Sequence, residues 1–130
     1  MSTLKTANIQ HPSASAPAFV LAADGSCSAQ FNIPANNQTS AYVLAATDRN
    51  KHINITTGGI TVPSGVFLAG DTVTIYNNST SDQTITQGSG VTLRLPGTAT
   101  TGNRTLAQYG IASLMCVSAD VFVITGVGLS

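Results

Sequence analysis

From Ser28 onward, apolar and polar positions alternate in short runs of period two, separated by residues that turn the chain. Ser28 to Ile33 places Ala29, Phe31 and Ile33 on one face and stops at Pro34. Tyr42 to Ala45 is a second apolar run. His52-Ile53-Asn54-Ile55-Thr56 alternates cleanly, and Gly58-Gly59 turns it into Ile60-Thr61-Val62. Thr72 to Tyr76 sets Val73 and Ile75 on one side and Thr72, Thr74 and Tyr76 on the other. Gln83 to Thr86 and Val91 to Leu95 repeat the pattern, with Asn77-Asn78 and Gly88-Ser89-Gly90 between strands. No window carries a 3.6-residue period, so every one of these runs predicts a strand.

Two stretches depart from simple alternation. Ile111 to Val117 and Val121 to Ile124 are apolar on both faces, and Ser118-Ala119-Asp120 between them reads as a hairpin connection. An antiparallel sheet with one wet face shows a polar side, so the second apolar face needs a cover. Either it packs against a neighbouring subunit, in which case Leu114 and Phe122 are the candidate interface residues, or the hairpin is wholly buried inside one subunit. Residues 1–27 are different again: rich in Ser, Ala and Pro, without sustained period, and punctuated by His11-Pro12, Ala16-Pro17 and Asp24-Gly25. The pattern as a whole predicts an all-β fold, a single antiparallel β-sandwich or barrel-like domain over 28–130, with an extended N-terminal arm over 1–27. The echo between Ile55-Thr56-Thr57-Gly58-Gly59-Ile60-Thr61 and Ile85-Thr86-Gln87-Gly88-Ser89-Gly90-Val91-Thr92 has two copies, too few for a solenoid.

Composition agrees with strands and narrows the chemistry. In 130 residues, charged side chains make up 8%, against roughly a quarter in an ordinary domain. Five Asp balance five Lys and Arg and there is no Glu, so polarity comes from Thr, Ser, Asn and Gln. Lys5, Arg49, Lys51, Arg94 and Arg104 are scattered, which argues against the clustered cations that nucleic acid requires. No apolar run is long enough to span a bilayer as a helix. Ala16 to Ala23 is short and broken by Pro17, with Lys5 alone before it, so it does not read as a signal peptide and a cytoplasmic origin is expected.

Catalytic constellations are hard to assemble from this chain. His11 and His52 are its two histidines, no Gly-x-Ser-x-Gly elbow occurs, and Cys27 and Cys116 have no spacing that suits a metal with them. Asp24, Asp48, Asp71, Asp82 and Asp120 all sit among turn residues and read as turn organisers. The expectation is a protein that is not an enzyme, with no cofactor and no metal, and with both cysteines reduced.

Val62-Pro63-Ser64-Gly65-Val66-Phe67-Leu68-Ala69-Gly70-Asp71-Thr72-Val73-Thr74-Ile75-Tyr76-Asn77-Asn78 resembles a β-domain of structural proteins from marine phages and cyanophages. Thr84 to Arg94 is similar to the next segment of that domain, and Cys116 to Gly126 to its ending. Ser2 to Gln10 resembles the start of tail-fibre-like virion proteins from the same phages. At Thr47-Asp48-Arg49-Asn50-Lys51-His52-Ile53 the related domains have Asp-x-Gly-Lys. Asn50 stands in place of the Gly, and Asn best tolerates the same left-handed turn. The resemblance implies a virion component. One β-domain plus an arm, without a shaft, points to a trimeric capsid decoration protein on the virion surface, its arm anchored on the major capsid protein or another virion protein. Leu4, Ile9, His11 and Phe19 are the candidate anchoring residues. The alternative is a short tail fibre or receptor-binding tip that meets host surface polysaccharide through its Asn, Thr and Tyr.

Overall fold

The computed structural model describes residues 8–9, 12–13, 19–29 and 32–130. The chain divides into two units, Met1–Asn32 and Ile33–Ser130. In the first, β1 (Asn8–Ile9), β2 (Phe19–Leu21) and β3 (Cys27–Ala29) form a three-stranded antiparallel sheet. The arm expected over 1–27 falls partly outside the described residues.

The second unit is all β among its described residues, as expected, with a nearly closed barrel-like sheet. Its topology differs from the antiparallel arrangement expected. β4 (Ala35–Gln38), β6 (His52–Ile55) and β8 (Thr72–Asn77) pair in parallel, and so do β5 (Tyr42–Val43), β7 (Ile60–Val62) and β9 (Gln83–Gln87). Each strand therefore pairs with the next strand but one. The chain winds as a two-row coil, turning from one row to the other at each corner instead of folding back on itself. Period two fixes which face of a strand is buried but not which strand lies beside it, so the pattern alone did not separate coil from hairpins.

The corners show why glycine recurs. Gly58 and Gly59 both have positive φ, 89° and 71°. A Cβ on Gly58 would overlap Ala41 in the preceding turn of the coil, and one on Gly59 would press on the Thr84 carbonyl in the next. The coils stack closely enough that only glycine fits.

β10 (Thr92–Arg94) leads to β11 (Arg104–Ser118) and β12 (Val121–Leu129). β11 is the closing element. Its first residues, Arg104–Leu106, pair with β9 of one row, and Ile111–Met115 pair with β8 of the other. It spans both rows by bending between Leu106 and Ile111, where Tyr109 takes φ 56°. β12 pairs antiparallel with β11 and parallel with β10.

The interior is one apolar cluster. Ile53, Ile55, Val73 and Ile75 enter it from one row, Ile60, Val62 and Ile85 from the other, with Leu114, Phe122 and Ile124 from the hairpin. Burying each such side chain contributes about 1.5–3 kcal/mol. Phe67 meets Phe122 edge to face at 5.9 Å between ring centroids, a favoured aromatic geometry.

The opposite end of the coil is sealed by polar groups. Asp48, at the end of the 3-10 turn Ala46–Asp48, is fully buried. It accepts hydrogen bonds from the Ala45 amide, the Tyr42 hydroxyl and the Asn36 amide group, each at 2.8 Å, while Gln38 donates to Asn36 at 2.7 Å. This cluster ties β4, β5 and the 3-10 turn together in the first turn of the coil. Among the described residues, no strand pairs with the outer edge of β4 or β5.

Candidate functional site

All five aspartates accept a hydrogen bond from a main-chain amide: Asp24 from Ser26, Asp48 from Ala45, Asp71 from Leu68, Asp82 from Gln108 and Asp120 from Gly65. Asp24, Asp48 and Asp71 cap their own turns, as the sequence suggests, whereas Asp82 and Asp120 reach amides distant in sequence and tie separate segments together. Asp71 also pairs with Arg49, Oδ2 to Nε at 2.7 Å. Asn50 has φ 60°, the left-handed turn expected where the related domains carry Gly. Cys27 is exposed and Cys116 buried, both free thiols, and burial pushes the Cys116 thiol up from its usual range. Leu4 and His11 lie outside the described residues. Ile9 and Phe19 are opposite one another in the β1–β2 pair.

The proposed interface residues fall on the other side of the sheet from that expected. Leu114 and Phe122 are 1% exposed, packed in the core of their own chain. Both faces of the hairpin are apolar in sequence, so parity cannot be read from it. The outward face is carried by the intervening residues: Ile111, Met115 and Val117 of β11 and Val127 of β12 are 47, 44, 45 and 78% exposed.

Register joins these into one surface. Ile111 is opposite Val127 on one side and Tyr76 on the other, and Met115 lies between Val123 and Thr72. Ser113, between them, is opposite Thr74 and Thr125. Continuing outward, Thr74 neighbours His52, Tyr76 neighbours Asn54, and Asn54 donates to Asn37 at 2.9 Å. The outer face of the sheet is thus divided: apolar over β11–β12, hydrogen-bonding over β4, β6 and the start of β8. Tyr109, exposed and at a positive φ that Gly or Asn adopts more easily, stands at the bend of β11 beside the apolar half.

At the polar end, Ile33, Asn50, Lys51, Thr72 and Thr74 line a shallow depression of about 170 Å³. Among the described residues, no three His, Cys, Asp or Glu side chains group as a metal site, and no helix is long and apolar enough to cross a membrane. Compared with known proteins, the chain matches no family model and no curated relative.

Proposed function

We propose that this chain is a non-enzymatic structural protein of a bacteriophage virion, a capsid decoration protein that assembles as a homotrimer on the virion surface. The observation that carries the reading is the apolar half of the outer sheet face. Ile111, Met115, Val117 and Val127 are exposed on a long, well-paired hairpin in a protein with almost no charge, with the uncharged Ser113 and Thr125 between them, and clustered exposed apolar side chains favour an interaction surface. The face carries no ionised group among Tyr76, Ile111, Ser113, Met115, Thr125 and Val127, and net charge is zero, so two copies bring no repulsion to the contact. Tyr109 supports the same use, since an exposed aromatic stands at the bend beside this face at a backbone geometry that favours a smaller residue. The resemblance of residues 62–78, 84–94 and 116–126 to phage structural domains supplies the virion setting. The first unit, with Ile9 and Phe19 on its strands, serves in this reading as the anchor to the major capsid protein.

The test joins mass to stoichiometry. Light scattering on the purified protein gives three chains per particle, and Met115→Asp, which buries a charge in the subunit contact, yields folded monomer. On purified virions the protein runs in hundreds of copies against the major capsid protein. A few dozen copies at the tail instead supports the fibre reading, and a wild-type monomer in solution and on particles overturns the trimer.

A further inference from the structure

We propose that the depression between the starts of β6 and β8 binds one unit of an acidic sugar, its carboxylate on Lys51. The proposal stands on the groups assembled there and does not depend on where in a virion, if anywhere, the protein sits. Among the described residues, Ile33, Asn50, Lys51, Thr72 and Thr74 line the depression. Ile33 is a largely exposed apolar wall, matching the C–H face of a pyranose ring. Thr72 donates its hydroxyl to Asn50 Oδ1 at 3.3 Å, which leaves the Asn50 amide hydrogens and the Thr72 lone pairs directed at other partners. The Thr74 hydroxyl has no partner among the described residues.

The charge is equally uncommitted. Arg49 is neutralised by Asp71 at 2.7 Å and also donates to the Val66 carbonyl at 2.9 Å. Lys51, two residues on, has no carboxylate within ion-pair distance among the described residues. A lysine that lines a depression together with threonine hydroxyls and an asparagine amide, and that pairs with no carboxylate among the described residues, recognises a carboxylate through charge-assisted hydrogen bonds. One isolated cation does not suit a nucleic-acid backbone, which needs several.

Size limits the occupant. A volume of about 170 Å³ is well below the roughly 300–1,000 Å³ of pockets that engulf a drug-sized ligand, so it takes a single ring with the remainder of a chain lying outside. The adjoining surface accepts such a chain. His52 is opposite Thr74, and Asn54 next along its strand is opposite Asn37, so imidazole and amides continue the polar row away from the depression and from the apolar half.

The experiment titrates isotope-labelled full-length protein with glucuronate, glucose and acetate and follows backbone amide shifts. Glucuronate is expected to move the amides of Asn50, Lys51, Thr72 and Thr74, with glucose at least about tenfold weaker because it forgoes the charge-assisted pair. Lys51→Gln lowers glucuronate to the level of glucose, and Thr74→Val weakens both sugars. Glucose binding as tightly as glucuronate removes the role of Lys51. Acetate matching glucuronate reduces the site to a bare anion contact. Shifts scattered elsewhere, or none, overturn the proposal.

Discussion

Asp48 shows how one residue type serves different ends. Its position among Thr47, Arg49 and Asn50 reads as a turn, and it does cap the Ala45 amide. Its burial, and its bonds to Tyr42 and Asn36, come from the coil closing over it, which no local pattern displays. Tyr42 carries a pH consequence. Burial, and then the hydrogen bond to Asp48, raise its phenol above the ordinary value near 10. A folded pKa above the unfolded one means the stabilisation is complete below about pH 10 and is lost as pH climbs through the raised value. Tyr42→Phe is expected to cost about 1–2 kcal/mol at neutral pH, for the lost hydrogen bond. In urea titrations the gap between wild type and variant then narrows above pH 10; a gap that widens there contradicts the assignment.

At the scale of elements, the alternating strands were legible. Ala35–Gln38 and the start of β11 at Arg104 were not, because they lack apolar alternation, and strand partners were not legible at all. His52–Ile55, Ile60–Val62, Thr72–Asn77 and Gln83–Gln87 fall where alternation put them. The parallel stacking was hidden because the repeat lies in the spacing of corners, not in a shared motif. The echo between residues 55–61 and 85–92 compares two corners whose strands do not stack on one another in order. Gly58 and Gly59 carried the better signal: a glycine pair that would be excessive for one turn is required where coils touch above and below. Gly59→Ala is expected to cost about 2 kcal/mol or more, strain from positive φ plus overlap with Thr84. Gly65→Ala, at φ 70° but with open space around the added carbon, carries the φ strain alone, about 1 kcal/mol. Equal denaturation midpoints for the two variants would show that the corners are not in tight contact.

The outward face of the molecule was legible in kind but inverted in detail. A hairpin apolar on both sides announces a second buried or bound surface, yet Leu114 and Phe122 turned out to be its inner members. The polar depression had no sequence signal, because it unites Ile33, Asn50–Lys51 and Thr72–Thr74 from separate turns of the coil. Closure of the whole depends on β11, which joins both rows. A chain ending at residue 103 keeps every residue of β4 to β10 but leaves β8 and β9 without the strand that bridges them. Circular dichroism is expected to show such a truncation unfolded, whereas removal of residues 1–32 leaves the second unit folded; a cooperative thermal transition in the 1–103 fragment would refute the bridging role.

The bend in β11 also sets a rule for biosynthesis. The stacked turns leave the ribosome first, but their long-range closure waits for residues 104–129, which are made afterwards. Contacts that close late in sequence delay folding, and the outward strip of Ile111, Met115 and Val127 lies on the very hairpin that performs the closure. The outward apolar strip and the completion of the fold thus arrive together. A chain terminated before residue 104 lacks the closing strand and the outward strip alike, and its core positions, Ile53, Ile55, Val73 and Ile75 among them, stay open to water and to aggregation.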